Sequence, residues 1–103
     1  MRVCALADLV SLNPERFDVD GRAVCVVRID DDVYAIGDTC THADVSLSEG
    51  EVDPDQCMIE CWKHGSMFSL KDGHPDSLPA VKPVPVYTAF VKDGDVHVEV
   101  DGQ

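Results

Sequence analysis

The sequence predicts an all-β domain of antiparallel strands. Two pairs of apolar, strand-like runs each flank a short acidic turn, which is the usual signal of a β-hairpin. In the last run, residues 96–100, valine alternates with polar residues, so we expect the valines to face the core and His97 to face solvent. No segment has the length and periodicity of a long helix, and residues 5–10 are expected to form only a turn.

The first hairpin turns at Asp30-Asp31-Asp32 and the second at Lys92-Asp93-Gly94-Asp95. The second is the stronger signal, because Asp-Gly supplies the left-handed backbone conformations that tight hairpin turns need. The strands expected beside these turns are residues 24–29, 33–36, 84–91 and 96–100.

Length and composition favour one compact domain spanning residues 1–103. A chain of 103 residues can bury one modest core without disulfides. No apolar run approaches the roughly 18 residues of a membrane span, and the start, Met1 to Cys4, lacks the apolar stretch of a signal peptide. We therefore expect a cytoplasmic protein without membrane contact, which suits cysteines that must stay reduced.

The chain is strongly acidic. It has 20 acidic residues against 8 basic ones, for a formal net charge of -12, so nucleic acid and anionic membrane surfaces are poor partners. The acids cluster at residues 30–32, 49–55 and 93–95. Two interpretations stay open: simple solubility, or steering towards basic docking sites on larger redox proteins.

Two short Cys/His clusters carry the candidate chemistry. Cys40-Thr41-His42 is followed, after 18 intervening residues, by Cys61-Trp62-Lys63-His64. Each cluster offers one thiolate and one imidazole. This pattern, C-x-H-x18-C-x2-H, continues through Gly65, Ser66 and Phe68, and it closely resembles the binding motif of Rieske proteins. In their [2Fe-2S] centre one iron carries two Cys and the other two His.

The resemblance implies a ligand set and a fold. It implies one [2Fe-2S] cluster per chain, with Cys40, His42, Cys61 and His64 as metal ligands and Ser66 as a further cofactor-binding residue. It also implies a Rieske-like antiparallel β sandwich with an inserted cluster-binding subdomain at about residues 38–70. Leu78-Pro79-Ala80 looks like the proline-containing third loop of the family, a rigid cover for the cluster. A second interpretation of this segment stays equally open: its prolines only interrupt strand pairing in a long connection.

A structural zinc module is the alternative outside this family, because two Cys and two His can close a tetrahedral site. Zinc fingers usually pair Cys with Cys and His with His at short spacings. In this chain the two types alternate, which favours the iron–sulfur interpretation.

Other positions refine the prediction. The Rieske proteins of respiratory and photosynthetic complexes join their ligand loops by a disulfide, but the matching positions are Val45 and Lys63. This chain therefore resembles the ferredoxins and oxygenase domains instead. Cys4 and Cys25 are expected to be packed thiols. Cys57 is also expected to be a packed thiol. The alternative is an auxiliary ligand of the cluster, because alternation along a strand would put Cys57 on the same face as Cys61.

Trp62 lies between the second Cys and His, where many relatives have Pro. An indole there could shield the cluster, which we prefer slightly, or contact a partner.

The sequence lacks the motifs for binding a nicotinamide and for activating oxygen, which points to an electron carrier and not an enzyme. No G-x-G-x-x-G dinucleotide motif occurs. Once the ligands are removed, only His74 and His97 remain, and they form no constellation for a separate oxygen-activating iron.

The resemblance then implies a monomeric one-electron carrier between a flavin-containing ferredoxin reductase and a terminal oxygenase that hydroxylates aromatic rings. The alternatives are a ferredoxin linked to iron–sulfur cluster assembly and the small subunit of a nitrite reductase.

Overall fold

The computed structural model describes residues 1–40, 45–63, 65–75 and 82–100. Over these ranges the regular secondary structure is almost entirely β, in two antiparallel sheets, so the predicted fold class is confirmed. None of the helices in the described ranges is long and apolar enough to cross a membrane. The strands are β1 Arg2–Ala5, β2 Glu15–Val19, β3 Arg22–Ile29, β4 Asp32–Gly37, β5 Val52–Asp53, β6 Met58–Glu60, β7 Met67–Ser69, β8 Val86–Lys92 and β9 Asp95–Glu99.

Six strands form a large sheet in the order β1-β9-β8-β4-β3-β2, and three form a small sheet in the order β5-β6-β7. Two 3-10 turns, Leu6–Asp8 and Leu47–Glu49, connect the strands. The first lies where the sequence predicts a turn. The small sheet falls within the range 38–70, and the division of the chain into a subdomain there remains a prediction.

Both predicted hairpins are present. β3 and β4 pair up to Ile29 opposite Asp32, and β8 and β9 pair up to Lys92 opposite Asp95. In the second turn Asp93 and Gly94 have φ values of 53° and 78°, the left-handed pair that Asp-Gly accommodates. The expected strand 84–91 begins later, at Val86, because Pro85 has no N–H to donate to a strand partner.

The sequence patterns missed β2 and β5, and they indicated β1 only as a short apolar, strand-like run around Cys4. β1 pairs with β9, and β2 pairs with β3. Both are short, and three of the five residues of β2 are charged, so their strand signal is weak. The two-residue strand β5 is defined only by pairing with β6. Partners distant in the sequence decide all three.

Two buried apolar clusters occupy the two faces of β3. The first core contains Cys25, Val27, Ile36, Cys40, Leu47, Ile59, Cys61, Phe68, Leu70 and Val84. The second core contains Leu9, Val19, Val24, Val26, Ala35, Tyr87, Val96, Val98 and Val100. β3 therefore has both faces covered by apolar side chains. The first core joins strands of both sheets and includes both cysteines of the candidate motif.

The final strand confirms its predicted pattern, since its valines are buried in the second core. His97 lies on the opposite face, but it is only partly exposed. Its ring stacks on Phe90 with a centroid distance of 5.2 Å and an interplanar angle of 6°. His74, expected in an exposed loop, is exposed.

Candidate metal centre

The first ligand loop leaves the end of β4 and returns at Ser46. Thr39 and Ser46 form an antiparallel bridge across its base. Inside that bridge, the N–H of Cys40 donates to the carbonyl of Val45 at 3.0 Å. Cys40 is buried at the start of the loop. His42, two residues later, lies outside the described residues.

The second ligand loop joins β6 to β7. Glu60 pairs with Met67 at its base, and the N–H of Cys61 donates to the carbonyl of Ser66 at 2.7 Å. Gly65 also donates to the carbonyl of Cys61 at 2.8 Å. Its φ of +76° is a left-handed conformation that a side chain would strain, which explains the glycine here. His64 lies outside the described residues.

The two loops share one backbone arrangement. In each, the residue before the cysteine pairs with a residue seven positions on from itself, and the cysteine N–H reaches the carbonyl five positions on. Each cysteine is thus presented by an equivalent loop, and both enter the first core. The sequence spacing alone did not reveal this equivalence.

The donor set fits an iron–sulfur cluster as far as the described residues extend. Cys40 and Cys61 are buried in one apolar cluster, and a metal can compensate for burying their thiolates. Within the described residues, no group of three or more His, Cys, Asp or Glu side chains is placed to hold a metal ion. Two of the four predicted ligands, His42 and His64, lie outside the described residues. The predicted cover of the cluster, Leu78-Pro79-Ala80, also lies outside them.

A buried carboxylate braces the first loop, and the sequence patterns did not predict it. Asp38 is almost fully buried. One of its oxygens accepts a hydrogen bond from the hydroxyl of Ser46, and the other accepts one from the N–H of Ser48 at 3.0 Å. The Nε of Arg16 lies 3.9 Å from the same carboxylate. An Asp two residues before the first ligand and a Ser-x-Ser just after the loop are the signals that could have found it.

Ser66, at the end of the second loop, and Phe68, in β7, are both fully buried. Phe68 packs in the first core with both motif cysteines. The role of Ser66 as a donor to the cluster stays a prediction.

The remaining cysteines divide by environment. Cys25 is a fully buried thiol, as expected, and burial, followed by the nearby Asp38 charge, raises its pKa far above the ordinary range. Cys4 is partly buried in β1, and burial raises its pKa as well. All five cysteines lie in the described ranges, and none forms a disulfide.

The expected strand position of Cys57 is wrong. Its φ is +55°, so it lies in the turn before β6 and the alternation towards Cys61 does not extend to it. Its side chain packs at the edge of the first core. There a hydrogen bond with Tyr34 raises the pKa of the tyrosine. The alternative that Cys57 is an auxiliary ligand depended on its sharing a strand face with Cys61, and the structure removes that support.

Comparisons with known proteins show the family of the chain. Residues 1–88 match the family model of the Rieske [2Fe-2S] domain. The chain is 41% identical over 99 residues to ferredoxin CarAc of Metapseudomonas resinovorans, covering 95% of this chain and 91% of that protein.

Two solved structures are also similar. One is the ferredoxin of carbazole 1,9a-dioxygenase from Nocardioides aromaticivorans IC177, with a TM-score of 0.92 and 40% identity over 95% of this chain and 94% of that one. The other comes from a complex of reduced oxygenase and oxidized ferredoxin in carbazole 1,9a-dioxygenase. Its TM-score is 0.87, with 40% identity over 96% of this chain and 100% of that one.

Proposed function

This chain belongs to the family of Rieske [2Fe-2S] domains, and we propose that it is the ferredoxin of an oxygenase system that hydroxylates aromatic rings. It is an electron carrier, as its relatives are named ferredoxins or ferredoxin components. The observation that carries the proposal is the pair of equivalent loops, each of which buries one motif cysteine in the same core.

We assign the ligands from the motif. Cys40 and Cys61 would hold one iron of a single cluster per chain, and His42 and His64 would hold the other. Such a cluster, when bound, takes up and gives up one electron at a time. Both cysteines are buried away from water. The backbone N–H of each cysteine donates a hydrogen bond across the base of its loop, which holds the thiolate in a rigid site. This rigidity limits reorganisation when the charge of the site changes.

The partners follow from what a one-electron carrier needs. A nicotinamide gives a hydride, so a flavin-containing reductase must stand between it and this protein, and the sequence has no dinucleotide motif of its own. A terminal oxygenase with its own iron takes the electron. The similar ferredoxin in complex with reduced oxygenase supports this second partner. We propose a monomer that works in the cytoplasm, where thiolates stay reduced.

A net charge of -12 supports short-lived docking to basic surfaces. Complementary charge mainly accelerates association, and small polar contacts allow rapid release. A carrier that alternates between two partners needs both properties.

Reconstitution tests the proposal. The purified holo-protein should contain iron and acid-labile sulfide in equal amounts. It should also couple NADH oxidation to aromatic hydroxylation when mixed with a flavin-containing ferredoxin reductase and a terminal ring-hydroxylating oxygenase. Cys61→Ser should abolish the coupling, and Cys4→Ser, in a partly buried thiol outside the motif, should not.

Each competing assignment has its own outcome. Zinc without sulfide would establish the structural zinc module. Electron delivery only to a nitrite reductase or to cluster-assembly proteins would replace the oxygenase assignment with that alternative.

A further inference from the structure

Trp62 is the only tryptophan of the chain, and 52% of it is exposed. It directly follows the buried Cys61 on the second ligand loop. About half of the side chain is therefore available for contact with a partner. An exposed indole beside a redox site is the kind of residue that anchors a protein–protein contact.

The indole forms one wall of a groove of about 410 Å³. Among the residues that the structure describes, the others that line it are Arg16, Asp38, Thr39, Val45, Ser46 and Glu49. Arg16 comes from β2, at the edge of the large sheet, and the rest come from the base of the first ligand loop and the 3-10 turn after it. The groove therefore lies between the two ligand loops, where a bound group would be held beside both.

The charges of the groove are unbalanced. Arg16 already faces two carboxylates, Asp18 at 3.4 Å and Asp38 at 3.9 Å. Glu49 is exposed and forms no ion pair among the residues that the structure describes. The groove is thus lined by a carboxylate without an ion-pair partner among the described residues and by an exposed tryptophan, on a molecule whose net charge is -12.

These features select among possible occupants. An anionic side chain would be repelled by Glu49 and would find Arg16 already paired. An apolar side chain would cover the indole but would desolvate the carboxylate of Glu49 without replacing its lost contacts. A cationic side chain gains from both, because the indole face attracts a cation and the carboxylate neutralises it.

We propose that this groove, which we call the Trp62 groove, seats a basic side chain of the electron-transfer partner. Arginine fits better than lysine, because its planar guanidinium can stack on the indole and still donate two parallel hydrogen bonds to Glu49. The inference rests on the proposed function, since it names the recognition group of the partner oxygenase. Trp62 and Glu49 are then specificity residues of docking.

The test is a double-mutant cycle on the holo-protein with the purified terminal oxygenase. Trp62→Leu and Glu49→Gln should each weaken binding by about five- to tenfold. The double variant should be little worse than either single one, because both residues contact the same cation. Trp62→Phe keeps an aromatic face and should stay close to wild type. The reduced cluster spectrum of each variant should match that of the wild type, which shows that the loop is intact.

Matched controls lie on the distant β8–β9 hairpin. Phe90→Leu removes an exposed aromatic side chain, and Asp93→Asn removes an exposed carboxylate. Neither should change the dissociation constant by more than about twofold.

The failures of the two proposals are distinct. Wild-type protein that passes no electrons to the oxygenase would overturn the proposed function, and the inference with it. If wild-type transfer is normal, two results overturn the groove alone: unchanged binding by Glu49→Gln, or an equal effect from Asp93→Asn. Because Glu49 is exposed, its variant tests the groove even if Trp62→Leu loses the cluster.

Discussion

The carboxylate of Asp38 accepts a hydrogen bond from the hydroxyl of Ser46 and thereby joins the two ends of the first ligand loop. The backbone repeats the connection, since the N–H of Leu47 donates to the carbonyl of Asp38 at 2.6 Å. Asp38 is buried, so these contacts are made away from water. The loop that presents Cys40 is therefore fixed at its base by a side chain outside the predicted ligand set.

Asp38→Ala should release this loop. It leaves the N–H of Ser48 without its acceptor, and the hydroxyl of Ser46 keeps only its contact with the hydroxyl of Ser48, at a cost of about 1–3 kcal/mol of folding stability. Asp38→Asn keeps one acceptor oxygen and should lose less. The rate of cluster loss in chelator, followed by visible absorbance, should rank Asp38→Ala fastest, then Asp38→Asn, then wild type. Equal rates for all three proteins would contradict the bracing role.

Ligation by mixed residues gives a spectroscopic prediction. Cys40→Ser or Cys61→Ser should abolish cluster incorporation, because a hard alkoxide replaces thiolate poorly on iron. The reduced wild-type protein should give an electron paramagnetic resonance spectrum with nitrogen couplings from His42 and His64. An average g value like that of an all-Cys ferredoxin, without nitrogen coupling, would refute the assignment. Cys57→Ser, outside the motif, should retain the cluster.

The redox potential should lie near the low end of the family range, which spans about -150 to +300 mV. High-potential members carry Tyr at the position of Phe68, and its hydroxyl bonds a ligand sulfur. Phe68 is fully buried with both motif cysteines, so in Phe68→Tyr the new hydroxyl should find sulfur as its acceptor and raise the potential.

Ser66→Ala should lower the potential by removing a hydroxyl donor. Protein-film voltammetry measures both shifts. Phe90→Tyr, on the outer face of the large sheet, is the matched control and should leave the midpoint unchanged. If neither buried substitution moves it, the sulfur-donor explanation is wrong.

Reversal of acidic charges tests steering. Glu51→Lys, next to the small sheet, should slow reduction by the reductase more than Asp93→Lys on the distant hairpin. Stopped-flow rates across a salt series should converge, since the screening length is about 8 Å at physiological salt. The same loss from both variants would show that only net charge matters.

Two other acids are unsuitable for that comparison. Asp53 accepts backbone hydrogen bonds from Asp55 and Gln56, and Asp95 forms an ion pair with Arg2 at 3.0 Å. Reversal at either position would disturb local structure as well as charge.

The buried thiol of Cys25 predicts a loss of stability at alkaline pH. Burial raises its pKa in the folded protein, whereas in the unfolded chain it ionises near its ordinary value of about 8.5. The contribution of the neutral Cys25 thiol to the free energy of unfolding is therefore fully present below about pH 8.5. Above that pH the unfolded state binds fewer protons than the folded state. Each further pH unit then lowers the free energy of unfolding by about 1.4 kcal/mol.

Denaturant titrations at pH 7 and pH 10 should show a steeper alkaline fall for wild type than for Cys25→Ala. The other thiols are common to both proteins, so they cancel in the comparison. Parallel behaviour of the two proteins would contradict the prediction.

Local sequence signals were enough to identify the family, the ligand candidates and two of the hairpins. These signals are the spacing of Cys40, His42, Cys61 and His64, and the turn chemistry at Asp30 and at Asp93-Gly94. Each motif is contained in a few consecutive residues, so it can be identified before the chain is folded.

The remaining features depend on tertiary packing. β1, β2 and β5 are strands because β9, β3 and β6 lie beside them, and the unexpected turn at Cys57 breaks a run that reads as a strand. The equivalence of the two ligand loops, the burial of Asp38 against Ser46, and the groove between Trp62 and Arg16 each join segments that are separated in the sequence. Contacts of that kind depend on how the whole chain packs, and no local pattern encodes them.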